Sequence, residues 1–365
     1  ETMIYSYLTL PRRASPRWYH EGAAVFFETW MAGGIGRAQG PYDEMVFRSK
    51  VLDGSRIYDP LGLESEATKT DFQAGVNSYL YGTRFMDYLA YTYSPESVVR
   101  WVDRSPGSKR YFAAQFRKVY DRSLNQAWAE WIAWERGFQQ ANLDSIRRYP
   151  TTPHRDLTGK ALGSVSRACF DFGSRTIYAA LDYPGTVAYI GAIPLDGGPV
   201  QNLHEVKGPA LYFVSSLAYD PEGKTLFYTA DNNAWRDLCS LDPATGKSRV
   251  LIRDARIGDL VVSRQDRSLW GVRHFNGIST LVRLPHPYKD WNQVFSWPYG
   301  QDIYDIDISP DGTKLSGSLA EISGRQTMRL WNLKALTDKD TTSTTLYDFG
   351  NFIPTSFVFS PDGKY

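Results

Sequence analysis

The chain has 365 residues, of which 42% are hydrophobic and 15% aromatic, enough for two or three domains with a sizeable core. Its formal net charge of +1 argues against a nucleic-acid partner attracted by bulk positive charge. No apolar run approaches the ~20 residues that a membrane-spanning helix needs, so we also expect no membrane span.

The first 147 residues show the spacing of helices. Proline fits a first helical turn and consecutive glycines end a helix, so the first helix is predicted to begin at Ser15-Pro16 and to end at Gly33-Gly34. Residues 37–70 are predicted to be mixed and rich in turns. Further helices are predicted over residues 71–93, 95–101, 111–120 and 125–139.

Two of these helices carry aromatic stripes. Tyr81, Phe85 and Tyr88 share one helical face, and Trp128 and Trp131 recur at helical spacing, followed by Trp134. Aromatic stripes at helical spacing usually bury, so we interpret the tryptophan stripe as a packing surface without a chemical role.

The pattern changes at residues 149–153, where two prolines in five residues indicate a linker. We predict a helical domain over residues 1–147, a linker over 148–160 and strands over 161–365. The later region alternates apolar and polar residues over short runs such as 225–229 and 304–308, as half-buried strands do.

The strands belong to a repeat. Asp220-Pro221-Glu222-Gly223-Lys224 is echoed by Ser309-Pro310-Asp311-Gly312-Thr313-Lys314 and Ser360-Pro361-Asp362-Gly363-Lys364, with degenerate copies around Asp171 and Ser263. A period of 43–51 residues with one hairpin turn in each repeat predicts a β-propeller of four-stranded blades. About four blades and the start of another are visible. The turn resembles the repeat of TolB-type propellers.

The most informative segment is Trp18-Tyr19-His20-Glu21-Gly22-Ala23-Ala24-Val25-Phe26-Phe27-Glu28. It resembles the W-x-x-E-G-x-A-x-[YF]-x-E segment of gluzincin metallopeptidases. The resemblance implies that Glu21 is the third ligand of a catalytic Zn²⁺ and that an H-E-x-x-H motif supplies two histidines. The chain contains no such motif. His20 and Ala23 also depart from the aminopeptidase version of the segment.

The missing motif is expected immediately upstream of Glu1, with residues 2–8 as the tail of its helix, and the chain is interpreted as a fragment truncated at both ends. In an alternative, Glu1 is itself the glutamate of that motif. Ile4 would then replace the second histidine and the enzyme would be degenerate. The sequence leaves both open. As it stands, the fragment is expected neither to hold zinc tightly nor to cleave peptide bonds.

A second segment, Ser78 to Leu89, resembles the region that follows the zinc helix in aminopeptidase-type gluzincins. There, a tyrosine three residues before a glycine stabilises the oxyanion of the tetrahedral intermediate. Tyr79 holds that place before Gly82, with Tyr81 as the alternative. His20 and Glu28 are interpreted as candidates for the surroundings of the zinc site, without binding the metal themselves.

Together these features predict a multi-domain protein in which an α-helical gluzincin sub-domain precedes an incomplete all-β propeller. The resemblance implies a secreted or periplasmic zinc metallopeptidase acting on peptides or proteins, with a propeller that gates access or docks substrate or a protein partner. The alternative is a non-catalytic protein that binds protein or cell-envelope partners through the propeller.

The propeller itself shows no catalytic motif. Exposed turn residues, namely 231–233 and His274, are predicted to line its central channel. Whether Cys169 and Cys239, 70 residues apart, form a disulfide is left open, and two buried thiols are the simpler interpretation.

Overall fold

The computed structural model describes residues 15–34, 36–64, 74–183, 186–206, 217–231, 235–354 and 357–365. The chain divides into two compact units, Glu1–His154 and Arg155–Tyr365. Within the described ranges, no helix combines the length and apolar character required to cross a membrane.

The first unit is helical. Its helices are α1 (Arg17–Met31), α2 (Pro41–Leu52), α3 (Pro60–Glu64), α4 (Ala74–Thr92), α5 (Pro95–Val102), α6 (Phe112–Tyr120) and α7 (Leu124–Ile146), with a 3₁₀ turn at Arg37–Gln39. Ser94 and Ser123 cap α5 and α7 by accepting a backbone N–H hydrogen bond.

Helix α2 lies inside the segment that we expected to be rich in turns, so that prediction is wrong for residues 41–52. The helix starts with Pro41 in its first turn, as proline allows, and Asp43 and Glu44 follow in the same turn. Only Asp43 and Phe47 are buried along it. The helix therefore lacks the apolar stripe by which an amphipathic helix is recognised in a sequence.

An aromatic cluster forms the core of the helical unit. Trp18, Trp101, Trp128 and Trp131 are each at most 1% exposed. The rings of Trp18 and Phe85 both lie 4.7 Å from that of Trp128, measured between centroids. The interpretation of the tryptophan stripe as packing is confirmed for Trp128 and Trp131, while Trp134 packs partly buried against the same core.

Helices α1 and α4 cross with their backbones in contact at Gly22 and Gly82. A Cβ atom at Gly22 would lie 2.6 Å from the Gly82 Cα, and one at Gly82 would lie 2.9 Å from the Gly22 Cα. Real Cβ atoms do not approach other heavy atoms so closely. The carbonyl group of Trp18 closes the remaining space at Gly82. Only glycine therefore permits this crossing.

We expect Gly82→Ala to destabilise the protein by about 1–3 kcal/mol, because overpacking outweighs the better helix propensity of alanine. Gly137→Ala on α7 is the matched control, since a Cβ there meets nothing within 4 Å. It should stabilise the protein by about 0.5–1 kcal/mol. Urea unfolding at equilibrium measures both, and equal effects of the two substitutions would contradict the close crossing.

A buried ion pair joins α4 to α7. The Arg84 Nη2 atom lies 2.9 and 3.0 Å from the two carboxylate oxygens of Glu135, and the two side chains are 5% and 0% exposed. Asp87, one turn further along α4, is also largely buried. Burial raises the pKa of Asp87 to about 8. The positive charge of Arg84 opposes this shift, and the nearby carboxylates of Asp43, Glu135 and Glu44 add to it.

The raised pKa of Asp87 predicts a pH-dependent stability. The folded state holds the Asp87 proton up to about pH 8 while the unfolded state releases it near its ordinary pKa, so this carboxyl costs more stability as pH rises. The neutral side chain of Asp87→Asn avoids that cost. Its stability relative to wild type should rise by roughly 2–4 kcal/mol between about pH 5 and pH 9. A difference that stays constant over this range would contradict the raised pKa.

The second unit is built from four antiparallel sheets in chain order. Strands β6–β9, β10–β13 and β14–β17 each form a four-stranded sheet, and in the first sheet β1 and β2 both pair with β3, which leads to β4 and β5. The strands are β1 (Ser164–Val165), β2 (Cys169–Asp171), β3 (Thr176–Asp182), β4 (Tyr189–Pro194), β5 (Gln201–Glu205), β6 (Leu217–Asp220), β7 (Thr225–Asp231), β8 (Arg236–Leu241), β9 (Ser248–Ile252), β10 (Ile257–Val262), β11 (Leu269–Phe275), β12 (Ile278–Leu284), β13 (Asn292–Ser296), β14 (Gln301–Ile308), β15 (Lys314–Glu321), β16 (Gln326–Asn332) and β17 (Ser343–Gly350), with a short helix α8 (Leu333–Thr337) before β17.

The sheets are arranged as propeller blades. The first strands of successive sheets contact one another in order, β2 with β6, β6 with β10 and β10 with β14. Separate hydrophobic clusters fill the spaces between neighbouring sheets. The four sheets correspond to the four repeats, and residues 357–365 repeat the first hairpin turn once more.

The repeated turns use the predicted chemistry. The Ser309 hydroxyl donates to Asp311 at 2.6 Å and Ser360 does the same to Asp362, with a left-handed glycine following in each turn. The hydrogen bond from Ser309 is the main cause that lowers the pKa of Asp311 to about 2. In the Asp220 turn the left-handed residue is Lys224 instead of Gly223. Asp220 also accepts hydrogen bonds from Arg267 of the next blade, at 2.9 and 3.0 Å.

Candidate functional site

Glu21 lies on the second turn of α1 with its side chain 24% exposed. The Arg17 Nε atom, one turn earlier, is 3.3 Å from Glu21 Oε1. Such an exposed i,i+4 pair contributes only a few tenths of a kcal/mol. The carboxylate of Glu21 is therefore held lightly at the surface of the helical unit.

Tyr79 lies beside Glu21. The nearby Glu21 carboxylate is the main cause that raises the pKa of Tyr79 above its ordinary value, so the phenol and the carboxylate lie close to each other. The guanidinium of Arg37 lies 5.5 Å from the Tyr79 ring centroid. The structure thus brings together the two residues that the sequence singled out as zinc ligand and as oxyanion donor.

The glycine crossing explains why these two side chains meet. Glu21 precedes Gly22, and Tyr79 lies one helical turn before Gly82. With the two glycine backbones in contact, side chains on the flank of the crossing are brought close together across it. A wider separation of α1 and α4 would place a gap between the phenol and the carboxylate.

Tyr81, the alternative to Tyr79, is fully buried between Phe47 and Trp131. Its hydroxyl accepts a hydrogen bond from the Tyr58 backbone N–H at 3.3 Å. A residue enclosed in this way does not face a substrate, so the structure favours Tyr79 over Tyr81.

The two neighbouring candidates differ in position. The Nε2 atom of His20 lies 2.7 Å from Ser15 Oγ, and partial burial lowers the pKa of His20 while the charge of Glu21 opposes this shift. The Glu28 side chain is exposed and forms no ion pair with the described residues. Both assignments stay predictions.

The donor set for zinc is incomplete in the described part of the chain. No group of three histidine, cysteine, aspartate or glutamate side chains is close enough there to hold a metal ion. Glu21 fits the donor chemistry of zinc, since it is a partly exposed carboxylate followed in the helix by the small residues Gly22 and Ala23. Any further protein ligands must come from outside the described residues. Glu1 and Ile4, which the alternative interpretation invoked, lie outside them.

A serine, a histidine and an aspartate meet in the propeller without forming a catalytic triad. Ser279 Oγ donates to Asp302, and His274 Nδ1 lies 3.3 Å from Ser279 Oγ and 3.5 Å from Asp302 Oδ1. A triad requires the serine and the aspartate on opposite ring nitrogens, whereas here both face Nδ1. Ser279 is also 3% exposed. Of residues 231–233, predicted beside His274 as channel residues, Asn232 and Asn233 lie outside the described residues.

The innermost strands surround a cavity of about 340 Å³ whose charged lining residues are Arg167, Arg264 and Asp307. Arg167 donates to the carbonyl oxygens of Ile306 and Phe357 at 3.0 and 3.2 Å. Asp307 accepts the Phe359 backbone N–H at 2.7 Å. Arg167 and Asp307 are therefore already hydrogen-bonded within the propeller.

Aromatic and arginine side chains alternate in a chain of contacts in the propeller unit, a feature that the sequence did not reveal. The Arg256 guanidinium lies 3.4 Å from the Trp235 ring centroid and 4.7 Å from that of Phe275. Arg273 lies 4.7 Å from Phe275 and 5.1 Å from Trp291. Neither arginine pairs with a carboxylate among the described residues. We call these five residues the arginine–aromatic row.

The two cysteines are free thiols. Cys169 Sγ donates to the Leu217 carbonyl at 3.3 Å, and burial raises the pKa values of Cys169 and Cys239 to about 12 and 11. Both thiols therefore stay protonated and unreactive at neutral pH.

Comparison with known proteins gives similarity of fold alone. No family model matches the chain, and no curated protein matches it. Among solved structures, a TolB from Agrobacterium tumefaciens is similar over 53% of this chain and 69% of the TolB chain. The sequence identity is 14% and the TM-score 0.43. TolB from Acinetobacter baumannii matches 55% and 46% at 14% identity, with a TM-score of 0.45.

A third solved structure, an oligogalacturonate lyase in complex with manganese, matches 54% of this chain and 56% of its own at 11% identity and a TM-score of 0.39. The chain spans less than half the length of the Acinetobacter protein. The assignment of the second unit as a β-propeller rests on its own four sheets. The protein is thus a β-propeller protein with an N-terminal helical unit.

Proposed function

We propose that this chain is part of an extracytoplasmic zinc-dependent metallopeptidase, with a gluzincin-type helical unit and a propeller that docks substrate or a partner. The observation that carries the proposal is the proximity of Tyr79 and Glu21 across the glycine crossing. Two residues 58 positions apart, selected separately by their resemblance to one catalytic site, lie side by side.

In this proposal Glu21 is a zinc ligand, and the two other protein ligands are the histidines of an H-E-x-x-H helix that precedes Glu1. When bound, zinc would polarise the scissile carbonyl and acidify a water molecule. The Tyr79 phenol would donate a hydrogen bond to the oxygen on which negative charge develops. Arg37 beside the Tyr79 ring would restrict the position of the phenol.

Glu21→Gln and Tyr79→Phe test the two roles separately in the protein extended to its natural start. Glu21→Gln should lower bound zinc from one ion per chain and abolish cleavage of an unfolded protein substrate, because an amide is a poor zinc ligand. Tyr79→Phe should keep the zinc and lower kcat by roughly 10²–10³-fold with little change in KM. Elemental analysis and a fluorogenic peptide assay measure both effects.

Asp103→Asn is the control, since it removes an exposed carboxylate of the helical unit that has no part in the proposed site. It should retain both zinc and activity. A Glu21→Gln protein that still binds one zinc ion, or an extended wild-type protein without zinc, would refute the proposal.

A second candidate function, a non-catalytic binding protein, is favoured by the arginine–aromatic row. Trp235 and Phe275 are 49% and 40% exposed, and the two guanidinium groups flank one ring without a described counter-charge. Stacking holds the guanidinium groups in place for ligand carboxylates. The fitting occupant is an acidic segment of a partner protein.

We expect a fluorescent glutamate-rich peptide to bind the propeller in a salt-dependent way, and Arg256→Ala with Arg273→Ala to weaken binding at least about tenfold. Arg175→Ala is the control, because Arg175 is exposed but already paired with Asp196 at 2.8 Å. Fluorescence anisotropy gives the affinities. Equal loss in the control would mean that binding follows overall charge and would count against this surface.

A further inference from the structure

A cavity of about 540 Å³ lies in the helical unit, and neither Glu21 nor Tyr79 lines it. Its walls come from the C-terminal half of α1, the segment between α1 and α2, the first turn of α2, the C-terminal half of α4, the start of α5 and the middle of α7. Concave pockets of this size with apolar walls and few polar groups are typical of small-molecule sites.

The walls are largely aromatic. Five aromatic side chains line the cavity: Phe26, Trp30, Tyr91, Trp134 and Phe138. Trp134 stacks on Phe138 with ring centroids 5.0 Å apart, and Tyr91 lies 5.9 Å from Trp134. Trp30 and Tyr91 are 44% and 81% exposed, so they can reach solvent and the ligand at once. Aromatic faces attract cations through their quadrupoles.

The charges lining the cavity leave one carboxyl without a partner. The only lining cation among the described residues is Arg84, which is bonded to both oxygens of Glu135 and lies 3.6 Å from Glu44. Asp87 also lines the cavity, and its Oδ2 atom is buried without a hydrogen-bond partner in the described part of the chain. A buried polar atom in this state calls for an explanation, and a bound donor supplies one.

We propose that this cavity binds an organic ligand with a primary ammonium group on an apolar body. The ammonium group donates a hydrogen bond to Asp87, and the body packs on the aromatic walls. This site is independent of zinc and of the proposed peptidase activity.

The charge balance favours a cation over a neutral or anionic ligand. Arg84 is already compensated by Glu135, and Glu44 and Asp87 add two more carboxyls at the wall. An anion would face these carboxyls, and a neutral alcohol would leave the attraction of the rings unused. Because its pKa is raised to about 8, Asp87 carries a proton below that pH. A bound cation favours the carboxylate, so binding below about pH 8 would release this proton.

Phenethylammonium and its neutral counterpart 2-phenylethanol test the proposal by calorimetric titration of the full chain at about pH 8.5, where Asp87 is largely ionised. We expect the ammonium compound to bind at least about tenfold more tightly than the alcohol. Asp87→Asn should remove most of this preference while leaving the weak binding of the alcohol unchanged. Asp103→Asn, an exposed carboxylate outside the cavity, is the matched control and should bind as wild type does.

Tyr91→Ala provides a second variant that poses little risk to folding, because Tyr91 is 81% exposed. It should weaken the binding of phenethylammonium about threefold or more by removing one ring from the wall. Equal affinities for the two compounds, full binding in Asp87→Asn, or no saturable binding at millimolar concentration would each overturn the proposal. None of these results depends on zinc content or on peptidase activity.

Discussion

The contact between Gly22 and Gly82 is the constraint on which the helical unit depends. Two helices that carry ordinary side chains pack with axes 8–10 Å apart, whereas here a Cβ on either helix would overlap the other backbone. The close crossing carries Trp18 into contact with Phe85 and Trp128, so the aromatic core is assembled from the same crossing. It also brings Tyr79 close to Glu21. Core and candidate active site therefore share one geometric cause.

Helix α4 contributes side chains to two separate sites of the helical unit. Tyr79 lies near its start, beside Glu21, while Arg84 and Asp87 line a separate aromatic cavity. Eight residues separate Tyr79 from Asp87, which is about 12 Å along a helix. The Arg84–Glu135 pair anchors the helix to α7 between these places. Because breaking a buried pair is strongly destabilising, the same bond restrains the positions of both Tyr79 and Asp87.

The sequence predicted those elements whose signal lies within a few neighbouring residues. The start of α1 at Pro16, the end of that helix at Gly33 and the propeller turns with Asp311 and Asp362 each depend on the backbone preferences of neighbouring residues. Helix α2 was missed because it buries too few residues to show a period. The arginine–aromatic row could not be predicted, since its members come from separate strands and connections whose register only the folded sheets define. The partner of Arg84, 51 residues away, had no signal for the same reason.

In the candidate active site, Glu21 and the substrate would compete for the single proton of the Tyr79 phenol. The Tyr79 phenol has one proton, so it cannot donate to Glu21 and to a substrate oxygen at the same time. As a metal ligand, Glu21 would share its negative charge and become a weaker acceptor for that proton. The phenol would then be available for the oxygen that gains charge during hydrolysis. The proximity of Tyr79 to Glu21 is thus the arrangement expected of the two residues before the site is completed. The proposed catalysis requires that the phenol then donates to substrate instead of to Glu21.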